Sequence, residues 1–394
     1  MPQLASIDRC VGCTACVSIC PMDCLQMKRD DAGFIYPQLV GDEKCINCGR
    51  CENVCPVLKE NSIKNKFVKA YAAYSLDRRI QDSSSSGGIF TELALIVLKR
   101  NGIVYGAAYD DEWKVSHIAI DREEFLYRLR GAKYVESSLG NTYKDIQEHL
   151  KNGKLILFSG TPCQVAGLKS YLHKNYGNLI CVDFVCHGIP SPLAWTKYIE
   201  VRKKIDGHEK TPIKINQRSK ETGWSRYTYS CLIEYDDGTR YSRESSDDLY
   251  MKLFCNDYIS RSSCKTCIFK GYERVSDITL GDFWGIWNID PDMDNEKGTS
   301  LVLVHSELGM MLFLDIKNKI KYKDVTLEEI SKENPSILYP SSEKSERASV
   351  LEKIKNNEFD DLEKLFSDSI QSTSPAWKRI IERLLRRVRN KGGD

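Results

Sequence analysis

The chain has 394 residues, 41% hydrophobic and 28% charged, as in an ordinary soluble protein with two or three domains. Lys and Arg number 57 against 55 Asp and Glu, and a net charge of +2 favours neither nucleic acid nor an acidic substrate as partner. The N-terminus MPQLASIDRC lacks the apolar core of a signal peptide, and the longest apolar stretch, residues 89–98, is too short to span a membrane. We therefore expect a cytoplasmic protein that binds no nucleic acid.

Cysteine is the most informative residue type in the composition. The chain has 16 cysteines, nine of them in the first 55 residues and seven in the remaining 339. The cytoplasm keeps thiols reduced, so disulfides do not account for this number. Metal binding or redox chemistry accounts for it better.

Two copies of the pattern C-x2-C-x2-C-x3-C-P begin the chain, as CVGCTACVSICP and, 35 residues later, CINCGRCENVCP. Three thiolates spaced by two residues hold three corners of a cubane cluster, and the fourth cysteine reaches the other cluster. This spacing predicts two [4Fe–4S] clusters. The expected ligands are Cys10, Cys13, Cys16 and Cys55 for cluster one, and Cys45, Cys48, Cys51 and Cys20 for cluster two.

A pair of zinc sites is the alternative for these cysteines. Such sites use two C-x2-C pairs or add histidine, and no histidine precedes His117, so the clusters are favoured. Residues 1–60 resemble a bacterial two-cluster ferredoxin. Cys24 lies outside the repeated pattern and is expected to be a buried packing thiol. Because adjacent clusters transfer single electrons, the larger part of the chain should receive or supply those electrons.

Residues 67–335 show strands alternating with helices, which predicts a mainly α/β layered domain after a polar linker at 61–66. A period of two over residues 226–243, with a turn at 236–238, predicts a hairpin. Residues 336–394 form a third, polar and helical segment. The other expected elements are strands at 67–76, 102–110, 155–158, 179–185 and 277–286, and helices at 89–99, 142–151, 166–173 and 193–205.

Four of the seven later cysteines form a second possible ligand set. Cys163 and Cys186 each follow a predicted strand, and sites in α/β sheets gather beyond the carboxyl ends of strands. With the C-x2-C pair Cys264 and Cys267 they supply the four thiolates of a third cluster. By spacing alone these cysteines could equally be buried thiols, half of a zinc site, a redox dithiol, or a nucleophile assisted by His187. The remaining three are expected to be structural: Cys181, Cys231 and Cys255.

Five motifs over residues 68–290 resemble the coenzyme F420 hydrogenase/dehydrogenase β-subunit family: SSGGIF, GAKYVES, SGTPCQVAGL, CHGIPSP and CKTC…RVSDITLGDFWG. The resemblance implies an α/β flavoprotein that binds FAD beside an iron–sulfur cluster. It further implies that Cys163, Cys186, Cys264 and Cys267 ligate that cluster. Archaeal members exchange hydride with the deazaflavin F420, and related chains act on other molecules, including a chlorophyll derivative. Many bacterial relatives are encoded among surface-polysaccharide genes.

A flavin also follows from electron counting, because clusters pass one electron at a time whereas most organic reductions take a hydride. The chain has no G-x-G-x-x-G, so a Rossmann fold is not supported. SSSSGGIFTEL offers another phosphate site, with hydroxyls, glycines and a helix N-terminus. The alternative for this loop is an ordinary capped helix start. For Lys133 it is a solvated lysine, and for Arg274 and Asp282 it is a plain salt bridge. The expected FAD contacts are Ser85, Ser86, Gly87, Gly88, Lys133, Thr161, Gln164, Arg274 and Asp282.

Together these features predict an FAD-dependent iron–sulfur oxidoreductase that exchanges electrons with a donor or acceptor and hydride with a small organic substrate. An electron-transfer subunit without its own substrate is the alternative, and structural or redox-sensing clusters without flavin are a third hypothesis.

Residues 377–394 predict a basic amphipathic helix. We expect this helix to dock on protein, with peripheral membrane contact as the other outcome.

Overall fold

The computed structural model describes residues 2–59, 64–65, 68–207, 210–225, 228–342 and 344–369. The amphipathic helix predicted at 377–394 lies outside these ranges. The strands are β1 (Leu25–Arg29), β2 (Ile35–Leu39), β3 (Lys69–Ser75), β4 (Ile103–Tyr109), β5 (Val115–Ile120), β6 (Ile156–Ser159), β7 (Leu179–Phe184), β8 (Pro212–Ser219), β9 (Ser230–Tyr235), β10 (Arg240–Glu244), β11 (Ile278–Asp282), β12 (Ser300–Val304) and β13 (Ile320–Val325). The helices are α1 (Ala15–Ser18), α2 (Arg50–Asn53), α3 (Arg78–Asp82), α4 (Ile89–Lys99), α5 (Thr142–Lys151), α6 (Pro162–Leu172), α7 (Pro192–Asp206), α8 (Leu249–Cys255), α9 (Ile286–Ile289), α10 (Glu307–Asp315), α11 (Leu327–Ser331), α12 (Arg347–Lys355) and α13 (Phe359–Ser369).

The N-terminal domain is an antiparallel β1–β2 hairpin with two one-turn helices, α1 and α2. The two helices occupy equivalent places in the 35-residue repeat, and each contains the third cysteine of its run. Each helix begins after a residue with left-handed backbone, Thr14 (φ 63°) or Gly49 (φ 68°). The internal repeat of the sequence is therefore a repeat of structure.

An eight-stranded sheet with the order β13-β3-β12-β11-β7-β6-β4-β5 forms the centre of the large domain. The four strands β11, β7, β6 and β4 are parallel, while β12, β3, β13 and β5 pair antiparallel at the two sides. The α/β prediction is confirmed for the centre, and the sheet as a whole is mixed. Helix α4 and helix α5 have the predicted bounds, whereas α6 begins at Pro162 because Thr161 caps it and proline suits the first helical position.

Helices cover both faces of the large sheet. On one face α4 and α10 bury Leu93 and Phe313 against sheet residues such as Val182. On the other face α5 and α6 pack Ile146 and Leu168 against strand residues, and this core also includes the N-terminal residues Cys13, Ala15 and Val54. The N-terminal domain is thus part of the core on the α5–α6 face.

The small sheet, with the order β10-β9-β8, is wholly antiparallel and contains the predicted hairpin. It packs with α7, α8, α12 and α13 in one hydrophobic cluster, where Trp195, Cys231 and Tyr250 are at most 1% exposed. Val350 and Leu362 of α12 and α13 join this cluster. Helices α12 and α13 of the 336–394 segment therefore pack on the small sheet and its helices.

Candidate redox site

Four thiols of the N-terminal domain surround one small cavity beside the large domain. The cavity is lined by Cys10, Cys13, Cys16 and Cys55, with Cys51 at its border toward the second group. Burial, together with the neighbouring Cys10 and Cys55, raises the pKa of Cys16 to about 12. A thiol buried in this way stays neutral until a cation binds it, because iron supplies the positive charge that a thiolate needs. This donor set fits cluster one, including the crossing ligand from the second run.

The cluster-two thiols surround a second cavity, of about 240 Å³, at the outer side of the N-terminal domain. Cys48 is exposed, and the apolar side chains of Met22 (41% exposed) and Ile46 (62%) lie at the cavity rim. The lining includes every predicted ligand, Cys20, Cys45, Cys48 and Cys51, and in addition Cys24. The prediction that Cys24 is buried is confirmed at 4% exposure, but its position is the cluster cavity rather than a packing core.

The four later cysteines converge as well. Cys163 lies in the first turn of α6, Cys186 follows β7, and Cys264 lies in the 3-10 helix Ser262–Thr266, three residues before Cys267. Burial, together with the neighbouring Cys267 and Cys264, raises the pKa of Cys163 to about 12. The pKa of Cys186 is raised by burial and by the other three thiols. In the ranges that the structure describes, no three His, Cys, Asp or Glu side chains are grouped closely enough to hold one metal ion.

Thiols predicted for cluster one and for the third cluster pack against the same group of apolar side chains. Val57, Ala166 and Phe269 form its buried centre, and Cys55, Cys163 and Cys267 pack against it. In addition, a Cβ at Gly167 would lie 2.8 Å from Cys13 Cβ and 2.9 Å from the Tyr143 hydroxyl, so α6 touches the loop of cluster one. Ligands predicted for two different clusters are thus separated only by a layer of packed side chains.

A buried ion pair of the large domain is hydrogen-bonded to the N-terminal domain at the same place. Arg261 (side chain 1% exposed) pairs with Glu136 (8%). The guanidinium also donates from Nε to the Cys10 carbonyl (2.9 Å) and from Nη2 to the Ile35 carbonyl (2.8 Å), and Nη2 lies 4.0 Å from Cys10 Sγ. Glu136 accepts from the Ile35 amide at 3.0 Å. Because Glu136 belongs to the GAKYVES motif and Arg261 precedes Cys264, one ion pair links both domains and the third thiol group.

A cavity of about 680 Å³ lies at the carboxyl ends of the parallel strands. Its size is within the range of cofactor sites. Cys163 and Cys186 are on its wall, as are Val11 and Gly12 of the cluster-one loop. The predicted FAD contacts that line it are Ser85, Ser86, Gly88, Lys133, Thr161, Gln164 and Asp282.

The serine–glycine loop forms one end of this cavity. Gly88 has φ 88° at the N-cap of α4, which has no side-chain cap, so amide groups of the first helical turn remain available to a ligand. Thr91, 1% exposed and also on the wall, has a buried hydroxyl without a hydrogen-bond partner. Gly87 does not line the cavity, because its amide bonds Ser300 Oγ (3.0 Å) and it packs against the sheet. An orphaned hydroxyl and free helix amides fit a phosphate group.

Two cationic side chains, Arg130 and Lys133, line the neighbouring wall of the cavity. Burial lowers the pKa of Lys133 to about 7, and its Nζ donates to the carbonyls of Arg130 (2.8 Å) and Gly131 (3.2 Å). Arg130 donates from Nη1 to Ser83 Oγ (3.3 Å), while its buried Nε has no partner. An incoming anion would supply the missing acceptor and favour the charged form of Lys133.

Thr161 and Gln164 have roles within the protein. Gln164 N donates to Thr161 Oγ1 (3.3 Å) and Thr161 N donates to Gln164 Oε1 (3.0 Å), forming a capping box at the start of α6. Thr161 Oγ1 also lies 3.1 Å from Cys163 Sγ. Both side chains line the cavity, but their first function is to fix the helical turn that presents Cys163.

Arg274 and Asp282 have different positions. Arg274 does not line the cavity; its Nε donates to the Gly271 carbonyl (2.9 Å) and its Nη1 to that of Phe269, so it supports the chain after Cys267. Asp282 is on the cavity wall and pairs with Arg218 Nη1 at 2.8 Å. The Arg218 guanidinium also lies over Trp224 (4.7 Å) and Tyr229 (4.6 Å). Asp282 thus matches the salt-bridge alternative while remaining available to a ligand.

Sequence reasoning missed several wall residues. His117, whose pKa burial lowers to about 4, bonds Ser137 Oγ (2.8 Å) and the Ser159 carbonyl (3.0 Å) as a neutral ring. Arg218 lies in a strand of the small sheet, and nothing in its local pattern distinguishes it. Arg130 could have been found, since it directly precedes the motif that contains Lys133.

Of the cysteines expected to be structural, Cys181 and Cys231 are buried, but Cys255 is exposed and lines the cavity.

Two family models match the chain. Residues 153–332 match the carboxyl-terminal part of the coenzyme F420 hydrogenase/dehydrogenase β subunit, and residues 9–58 match the 4Fe-4S dicluster domain. No curated protein matches. A chain of the xenon-derivatised F420-reducing [NiFe] hydrogenase complex from Methanosarcina barkeri is similar, with 16% identity, a TM-score of 0.47, and coverage of 76% of this chain and 91% of that one.

The described residues contain no helix that is both long and apolar enough to cross a bilayer. The dicluster match supports iron–sulfur clusters in the N-terminal domain, where the repeated cysteines surround two cavities. The likeness to the hydrogenase chain is too weak to transfer a site, so the assignment rests on the two family models and the five motifs. The chain thus combines an N-terminal 4Fe-4S dicluster domain with a region, residues 153–332, that matches the carboxyl-terminal part of the coenzyme F420 hydrogenase/dehydrogenase β-subunit family.

Proposed function

We propose that this chain is an iron–sulfur flavoprotein oxidoreductase that connects a one-electron partner to a small organic substrate. Cluster two faces the surface, cluster one lies behind it, and Cys163, Cys186, Cys264 and Cys267 hold a third cluster. The observation that supports this order is the position of Cys163. It packs in the same hydrophobic cluster as Cys55 and also lines the 680 Å³ cavity.

The cavity would hold FAD. The Ser84–Gly88 loop, the first turn of α4 and Thr91 would bind its phosphates, and Arg130 and Lys133 would supply positive charge. A bound flavin exchanges electrons singly with clusters and in pairs with organic molecules, which is the chemistry this position requires. Electrons can pass in either direction through such a site.

The protein's own residues shape the rest of the cavity. Tyr229 and Trp284 form an aromatic wall, and the Arg218–Asp282 pair lies between the small sheet and β11. Aromatic side chains exclude water from a reacting centre, and a pair of opposite charges orients a polar substrate. We propose an F420-like deazaflavin or a metabolite of surface-polysaccharide biosynthesis as substrate, with the protein in the cytoplasm.

An electron-transfer subunit without its own substrate is the second candidate. The apolar rim of cluster two, with Met22 and Ile46 exposed beside the exposed Cys48, favours a protein partner at that end. The family's hydrogenase and dehydrogenase β-subunits also belong to larger assemblies. A purified chain that reduces or oxidises a small molecule by itself would eliminate this candidate.

Anaerobic purification with iron, sulfide and flavin quantified tests the proposal. We expect about twelve irons and one FAD per chain, as three cubanes require. About eight irons would reject the third cluster. A protein without flavin would reject the oxidoreductase and favour clusters with a structural or sensing role.

A further inference from the structure

The serine–glycine loop, Ser84–Gly88, is held from outside the cavity by a lysine next to the small sheet. Lys220 directly follows β8, and its Nζ donates to the carbonyls of Gln81 (2.6 Å) and Ser86 (2.9 Å). Gln81 belongs to α3 and is 3% exposed. Ser86 is on the cavity wall, whereas Lys220 is not. The lysine therefore contacts the loop on the side away from the cavity.

The peptide between Ser86 and Gly87 is bonded at both ends. Its carbonyl accepts from Lys220, and its N–H group, that of Gly87, donates to Ser300 Oγ at 3.0 Å. The next carbonyl, that of Gly87, accepts from the Ser75 amide at 2.7 Å. Both carbonyls are thus bonded within the protein, while α4, which follows the loop, has no side-chain cap and leaves its first amides to a ligand.

The orientation of this peptide matters to an anion. A peptide next to glycine turns over easily, because glycine accepts backbone angles that other residues avoid. Turning it over would point the Ser86 carbonyl oxygen toward Ser300, which is on the cavity wall. Anion sites in proteins present N–H groups, and a carbonyl oxygen in their place repels a phosphate group.

We propose that Lys220 is a positioning residue for the phosphates of the cofactor. By fixing the Ser86–Gly87 peptide, it makes the loop present amides rather than a carbonyl oxygen to them. The inference rests on the proposed function, because the cofactor is the FAD proposed for this cavity. It gives the small sheet a part in cofactor binding through a residue that does not touch the cofactor.

Titration of the full chain, freed of flavin, with FAD and with riboflavin, which lacks phosphate, tests the proposal. Lys220→Met should weaken FAD binding about tenfold or more, as loss of a hydrogen bond from a charged group implies, and leave riboflavin binding unchanged. Lys220→Arg, which keeps the charge and the donors, should recover most of the FAD affinity. A buffer at about pH 6 keeps Lys220 and Lys133 protonated, because burial lowers the pKa of each to about 7.

Lys297→Met is the matched control. Lys297 pairs with Asp82 at the end of α3, and its side chain is 35% exposed. The change removes the same charge near the loop and leaves both bonds of the Ser86–Gly87 peptide in place. This variant should bind FAD like the wild type.

Two results would overturn the proposal: equal FAD affinity in Lys220→Met and Lys297→Met, or a loss in Lys220→Met that is as large for riboflavin as for FAD. Ser300→Ala, which frees the other end of the same peptide, serves if Lys220→Met does not fold. It should weaken binding of FAD but not of riboflavin, and unchanged FAD affinity would count against the proposal. A wild-type protein that binds no FAD would reject the proposed function itself, and this inference with it.

Discussion

The two halves of the N-terminal domain have the same cysteine spacing and the same one-turn helices, yet their surroundings are opposite. Cluster one lies between the hairpin and α6, where Arg261 bonds the Cys10 backbone and Gly167 touches Cys13. Cluster two faces outward, with Cys48 exposed and apolar side chains at its rim. The spacing defines which cysteines can ligate iron, and under the proposed function the neighbouring domain would make cluster one an inner relay and leave cluster two as the entry point.

The largest effect should come from breaking the ion pair at the inner cluster. Arg261→Met leaves the buried Glu136 carboxylate unpaired, and loss of one partner of such a pair costs about 3–5 kcal/mol. We expect a large drop in the denaturant midpoint measured anaerobically. Arg261→Met/Glu136→Gln should recover much of it, because no charge is then left buried. A double variant as unstable as the single one would contradict this account.

A smaller loss should follow from crowding the same junction. Gly167→Ala adds a Cβ 2.8 Å from Cys13 Cβ, and overpacking of this kind costs about 1–3 kcal/mol. Gly177→Ala is the matched control, since a Cβ there meets nothing within 4 Å. Thermal unfolding of the two variants measures the difference. Equal midpoints would show that the domains do not touch at Cys13.

Lys133 should make FAD binding depend on pH. Its pKa in the free protein is lowered to about 7, so the lysine loses its proton as pH rises through that value. A bound phosphate favours the protonated form, so affinity should fall by up to about tenfold per pH unit above this pKa. Titration of the flavin-free protein with FAD between pH 6 and 9 measures the slope, and Lys133→Met should flatten it. An unchanged slope in that variant would assign the effect to another group.

The smallest effect is expected at the surface of the outer half. Lys144 and Asp23 form an exposed pair at 3.6 Å, with side chains 46% and 81% exposed. Exposed pairs contribute about 0–1 kcal/mol. Lys144→Ala should therefore leave the free energy of unfolding within about 1 kcal/mol of the wild-type value. A loss comparable to that of Arg261→Met would mean that the two halves are attached to the large domain equally firmly.

Local chemistry made the cysteines and many helices predictable. Cluster ligands have strict spacing, and α4 and α5 have their predicted bounds because apolar periodicity marks both helices. The ion pair at the junction joins residues 125 positions apart, and no local pattern indicates such a contact. Thr161 and Gln164 flank Cys163, and this position predicts contacts with the flavin. In the structure their side chains instead accept hydrogen bonds from backbone amides at the start of α6, which have no partner within the helix. Contacts between distant segments are what the sequence pattern lacks.

We propose that electrons pass from cluster two to the cavity through the cluster held by Cys163 and its three partner thiols. Rapid mixing of the anaerobic protein with a one-electron reductant, followed by absorbance of the clusters and the flavin, tests it in the wild type and in Cys163→Ala. The wild type should reduce its flavin after its clusters. Cys163→Ala should have about four irons fewer, retain FAD, and reduce it far more slowly. Equal iron content and equal flavin reduction in the two proteins would contradict the account.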